Sequence, residues 1–138
     1  AADCLYQGAK AGDGDIRIVD GDLSTIMAGL ACGEPNILSW DILRNHTTAF
    51  VSCPDWVTAR GMRTLGAPEK GDPRVISGES GAVTTGLVET LMLDPEYAEL
   101  KELIGLDKTS SVLCFSTEGD TDPDQYRRIV WEGEYPTC

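Results

Sequence analysis

Positive charge is scarce in this sequence: 11 lysines and arginines stand against 23 aspartates and glutamates, a formal net charge of −12 over 138 residues. No basic stripe is available to neutralise phosphates, which argues against nucleic acid and anionic membrane surfaces as partners. Histidine is reduced to His46 alone, which gives a zinc site poor support, and no metal is expected. The five cysteines (Cys4, Cys32, Cys53, Cys114 and Cys138) are widely spaced and form no CxxC pair. That usage fits reduced thiols in a cytoplasmic protein better than a disulfide scaffold, with a Cys32–Cys53 bridge as the alternative. Apolar runs stop well short of the roughly 18 residues of a membrane span, and neither repeats nor low-complexity tracts occur. The chain opens AADC, without Met or a signal-like apolar segment, as expected of a processed protein, a trimmed chain or a fragment.

What is present has the balance of a globular domain, 41% hydrophobic and 25% charged residues, enough to bury a core. Spacing predicts helices over 3–12, from a Ser24 or Thr25 cap to Gly33, over 37–48, from a Ser52 or Asp55 cap to Leu65, from about 80, over 97–106 and from Pro123. The β-branched or apolar runs 16–19 and 49–52, the pair before Ser77 and the segment from Ser111 predict strands. Alternation of the two predicts an α/β fold: three layers, with a mostly parallel sheet flanked by helices, in a single domain spanning 1–138.

One stretch raises a chemical question. Residues 76–88, ISGESGAVTTGLV, open a helix with almost no side chains. Small residues at a strand-to-helix turn let a ligand approach the backbone, where unpaired N–H groups and the helix dipole await an anion. They equally let the helix pack closely on a neighbour, and the composition does not separate the two. A second loop, FSTEGDTD (115–122), offers the hydroxyls of Ser116 and Thr117 where a buried strand ends. A hydroxyl there can meet a ligand's ring nitrogen without introducing charge. Asp122-Pro123-Asp124-Gln125 has the form of a capping box, and the loop carboxylates Glu118 and Asp120 are accounted for by the helix dipole. A third segment, TIMAGLACGEP (25–35), is dense in Ala and Gly, as backbone lining a pocket or a tight connection would be.

Taken together, ADCLYQ, TIMAGLACGEPN, SWDILRN, RVISGESGAV, STEGDTD and RRIVWEG, in that order, resemble the C-terminal part of the diaminopropionate ammonia-lyase family. That family falls among the pyridoxal-phosphate enzymes of the tryptophan-synthase-β type (fold type II), and the similarity runs from Ala2 to about Gly133. The resemblance implies part of the large domain of a cytoplasmic homodimer that eliminates ammonia from the amino-acid substrate 2,3-diaminopropionate, giving pyruvate and a second ammonia. It implies that pyridoxal 5'-phosphate is bound near Gly29, Gly78, Glu79 and Ser80, with Ser116 or Thr117 at the pyridine nitrogen. No catalytic residue is expected in this chain, because the Schiff-base lysine region has no counterpart here. Lys10, Lys70, Lys101 and Lys108 sit in polar stretches. Cys4 stands where a metal-binding relative, serine racemase, would need an aspartate. Two other readings stay open: a related serine or threonine dehydratase, and a non-catalytic module binding a ligand or partner.

Overall fold

The computed structural model describes residues 2–137. Ala1 and Cys138 lie outside the described residues, and with them the ends of the expected 1–138 domain and the fifth cysteine. The other four cysteines are free thiols. The described residues fall into two compact units, one running to Ser52 and the other starting at Cys53.

The first unit is organised by Trp40. Helix α1 (Cys4–Ala11) ends at Gly12, whose φ of 72° makes the left-handed C-cap that glycine tolerates best. Helix α2 (Ile37–His46) is capped by Asn36, whose side chain accepts from the Ser39 amide at 3.0 Å. Trp40 of α2 is 4% exposed. Its indole Nε1 donates to the Gly14 carbonyl at 2.9 Å, and its ring lies 5.8 Å from that of Phe50. Gly8 of α1 has no room for more: a Cβ there would come within 2.9 Å of the indole. The helix expected from Ser24 to Gly33 shrinks to one 3-10 turn, Ala28–Leu30. Ahead of it, Asp22 accepts from the Ser24 amide at 2.9 Å and Thr25 Oγ1 from the Met27 amide at 3.2 Å. These local side-chain bonds replace the helical ladder, which the Ala/Gly run does little to defend.

In the second unit, helices α3 (Asp55–Gly66) and α4 (Glu79–Leu93) pack closely, and α6 (Pro123–Val130) lies against α3. The cap position of α3 is Pro54 rather than Ser52 or Asp55; Asp55 is the first helical residue, where its charge suits the dipole. The core comprises Val57, Ala59, Met62, Ala82, Leu91, Tyr126 and Ile129. On α4 the buried face follows the small residues Ala82 and Gly86, whereas Thr84 is exposed. Asp122 caps α6 by accepting from the Gln125 amide at 2.9 Å, with Pro123 in the first turn, as expected. Gln125 does not close the box; its Oε1 accepts from Arg128 instead. Helix α5 (Ala98–Leu103) is shorter than expected and follows a 3-10 turn, Pro95–Tyr97. Its expected apolar face is covered only in part: Leu100 and Ile104 are half-buried, whereas Leu103 is 82% exposed.

No strand forms among the described residues. The segments expected to be strands lack ladders within this chain, keeping only isolated bonds such as Val19 N to Gly33 O at 2.9 Å and Val75 N to Leu65 O at 2.9 Å. A strand is defined by a partner, and these runs have none beside them. Their apolar side chains stay exposed, among them Ile18, Val51, Ile76, Leu113 and Phe115.

Candidate functional site

Two chain reversals in the second unit converge. The first is the approach to α4, from Ser77 to Ser80; the second is the loop from Ser116 to Asp122 ahead of α6. Their backbones are tied by the Gly78 amide, which donates to the Glu118 carbonyl at 3.0 Å. Glycine is required at both contact points. A Cβ at Gly78 would lie 2.5 Å from the Gly119 carbonyl oxygen, and one at Gly81 would lie 2.8 Å from the Thr117 nitrogen. Further along α4, a Cβ at Gly86 would strike the Val57 carbonyl of α3. The small residues at the start of α4 thus serve close packing, first on the loop and then on α3.

The polar groups at this junction are arranged by that approach. Glu118 reaches over the end of α4, and its Oε1 accepts from the Ser80 amide at 2.8 Å. A carboxylate bonded to a free N–H at a helix N-terminus satisfies both the donor and the dipole. Glu79, the first helical residue, is 9% exposed, and its carbonyl accepts from the buried Thr58 hydroxyl on α3. Burial pushes the Glu79 carboxyl up; its own amide opposes this, and the charges of Glu118 and Asp122 add to it. Ser80 Oγ is buried with no hydrogen-bond partner among the described residues.

Ser116 Oγ donates to Ser77 Oγ at 2.8 Å and lies 3.4 Å from the Glu118 carbonyl. Ser77 is fully buried, while Ser116 and Thr117 are exposed. The structure therefore brings Gly78, Glu79, Ser80, Ser116 and Thr117 to one junction, at which only Ser116 and Thr117 are exposed. Gly29 belongs to the first unit, exposed on its 3-10 turn. Sequence reasoning missed Ser77 and Thr58 and assigned Glu118 to the α6 dipole rather than to α4. A hydroxyl closing an apolar run directly before a glycine was the available signal for Ser77. Chemically, the surface offers neutral hydroxyls and backbone, with no cationic side chain among these residues. Among the described residues no cluster of His, Cys, Asp and Glu is arranged to hold a metal.

No protein-family model matches the chain. Against curated proteins, it is 56% identical over 135 residues to a diaminopropionate ammonia-lyase of Escherichia coli K12, covering 97% of this chain. The Salmonella typhimurium enzyme of the same name is 53% identical over 133 residues. The chain matches diaminopropionate ammonia-lyase. Solved structures agree: the E. coli lyase in complex with an aminoacrylate-PLP azomethine reaction intermediate superposes with a TM-score of 0.86 at 53% identity, covering 96% of this chain and 33% of that one. The same lyase in complex with D-serine gives 0.85 at 48% identity, with 99% and 33% covered. The chain spans about a third of the length of the lyases it matches. These superpositions support a fold type II pyridoxal-phosphate enzyme domain. Among the described residues, no helix is long and apolar enough to cross a membrane.

Proposed function

We propose that this chain is one portion of a pyridoxal-phosphate-dependent ammonia-lyase acting on 2,3-diaminopropionate to give pyruvate and ammonia. The observation that carries this reading is the exposed Ser116 hydroxyl, held at the junction of the two loops, in a chain that superposes on a lyase captured with its cofactor intermediate. The donor set fits the ring side of the cofactor: a neutral hydroxyl for a pyridine nitrogen, close-packed glycines around it, and an orphaned buried hydroxyl at Ser80. When bound, the cofactor supplies an electron sink for charge developing at Cα of the substrate. Ser116 or Thr117 would hold the ring nitrogen, and Gly78, Glu79 and Ser80 would line the remainder of the cofactor surface on this unit. The proposal assigns no proton transfer to this chain. Lys10, Lys70 and Lys108 are exposed and Lys101 is half-buried on α5, none in the loop junction.

In the proposed enzyme the exposed apolar runs around Ile18, Val51, Ile76 and Phe115 become strands of a mostly parallel sheet, paired with polypeptide not contained in this chain. Residues 1–138 then form a single portion of one large domain. A homodimeric, cytoplasmic enzyme is the form the family resemblance implies. Because one matched lyase structure holds D-serine, elimination from a hydroxyl amino acid is the second reading.

The test is pyruvate release from 2,3-diaminopropionate and, separately, from D- and L-serine, with pyridoxal phosphate added. It is run on a protein of the lyases' full length carrying this chain and on the 138 residues alone. Release from the diamino acid by the longer protein only is expected. Faster release from serine would transfer the assignment to a dehydratase, and release from neither would leave a binding role.

A further inference from the structure

Ser77 has no place in the reading above, yet it is fully buried directly behind the exposed hydroxyl of Ser116, with the two oxygens 2.8 Å apart. We propose that Ser77 is a positioning residue: it fixes the rotamer of Ser116 and, by accepting or donating the proton between them, lets that hydroxyl meet a ligand's ring nitrogen as acceptor or as donor. This rests on the assignment of Ser116 to the cofactor surface.

Each hydroxyl carries one proton and can accept twice. With Ser116 donating inward to Ser77, Ser116 presents only lone pairs outward and suits a protonated nitrogen. Ser77 then turns its own proton toward the Gly78 carbonyl, 3.4 Å away and too distant for a strong bond. In the reverse arrangement Ser77 donates to Ser116, and Ser116 donates outward to an unprotonated nitrogen in preference to the Glu118 carbonyl, 3.4 Å away and too distant for a strong bond. A buried hydroxyl with a weak alternative acceptor therefore lets one exposed hydroxyl serve either form of the ring. Thr117 has no such support, since its hydroxyl makes no hydrogen bond among the described residues. The surroundings also resist adjustment, because a Cβ at Gly81 would lie 2.7 Å from Ser77 Oγ and 3.2 Å from Ser116 Cα. Near the pair, the charged groups are Glu118, whose carboxylate is engaged by the Ser80 amide, and the buried Glu79. Neither carboxylate is hydrogen-bonded to either serine, so the pair itself stays neutral.

The test is a double-mutant cycle of Ser77→Ala and Ser116→Ala in a full-length protein carrying this chain. Its readouts are the dissociation constant of pyridoxal phosphate, the visible absorption of the bound cofactor and its pH dependence, and the thermal midpoint without cofactor. Loss of one hydrogen bond predicts that Ser77→Ala weakens cofactor binding about five- to tenfold and shifts the absorption band. With Ser116 already replaced, the same change should have no further effect on either. Additive losses, or a lowered thermal midpoint with unchanged absorption, would make Ser77 a packing residue and overturn the proposal. Should Ser77→Ala fold poorly, Ser77→Cys keeps a weak donor at a somewhat larger volume, and the same non-additivity is required of it. If Ser116→Ala leaves cofactor affinity and spectrum unchanged, Ser116 is not the ring partner and the proposal falls on that ground. Failure of the lyase reading itself would show separately, as absence of pyruvate from the unmutated protein.

Discussion

Gly61 of α3 and Ala82 of α4 touch through their backbones: a Cβ on Gly61 would lie 2.1 Å from the Ala82 carbonyl oxygen and 2.7 Å from the Gly86 nitrogen. Two helices can approach this closely only where side chains are missing. The approach brings Thr58 of α3 to the Glu79 carbonyl at the start of α4. Gly61→Ala and Gly86→Ala are each expected to destabilise the fold by about 1–3 kcal/mol through overpacking. Gly119→Ala, where the added methyl meets open space, should stay within about 0.5 kcal/mol of the parent. Chemical denaturation midpoints check all three. Equal losses at Gly61 and Gly119 would show that intrinsic glycine effects, and not the helix crossing, decide the result.

Charge ties the middle of α3 to the end of α4. Arg60 of α3 reaches Asp94 at 2.6 Å and Glu89 at 3.1 Å, with its side chain 16% exposed. Its pKa is raised, chiefly by the hydrogen bond to Asp94. A half-buried cation with two acidic partners lies between the surface and interior regimes, so Arg60→Met should cost about 1–2 kcal/mol. Asp94→Asn combined with Arg60→Met should cost less than the sum of the single changes. Urea titrations of the four proteins in the cycle measure the coupling, and strict additivity would show the pair to be idle.

Glu118 joins the loop after Phe115 to the first turn of α4, through the Ser80 amide at 2.8 Å. Replacing it with alanine removes a cap and is expected to cost about 1 kcal/mol. Glu118→Gln retains an acceptor and should recover part of that. The Ser80 amide, followed by hydrogen exchange, should lose protection in Glu118→Ala while amides in the middle of α3 do not. Unchanged exchange at Ser80 would mean that water replaces the carboxylate without penalty.

Much of this was legible in the sequence because it is local. Gly12, Asp122-Pro123 and Gly105 punctuate helices by short-range chemistry, and the structure uses all three. The family motifs were readable for the same reason: they are contiguous. The sheet was not realised, since strands take their identity from neighbours, and the runs at 16–19, 49–52 and 111–116 have none within this chain. The helix expected at Ser24 failed where Asx and hydroxyl side chains compete with the backbone ladder. The local signal marked Ser77 only as a hydroxyl before a glycine; its role depends on Ser116, 39 positions away, and no local pattern links two serines at that distance. The small-residue opening of α4 admitted both a ligand and a packing explanation, and only the contacts at Gly78, Gly81 and Gly86 established the second.

Glu79 offers a test by pH. Its folded-state pKa is raised, first by burial, so the folded protein holds that proton more tightly than the unfolded chain does. The resulting stability is fully present below the unfolded glutamate pKa of about 4.3 and is lost as pH rises through the higher folded value. Glu79→Gln mimics the protonated form and removes that dependence. The variant should therefore match the parent at about pH 4 and become the more stable of the two toward about pH 7. Denaturation midpoints across this range measure the gap. The positive end of α4 acts in the opposite sense by favouring the carboxylate, so the size of the gap reports which influence dominates at this position. A gap that opens with rising pH means that desolvation outweighs the dipole and raises the Glu79 pKa in the folded protein. A gap independent of pH would mean that the folded and unfolded protein hold this proton equally, as for an ordinary first-turn carboxylate.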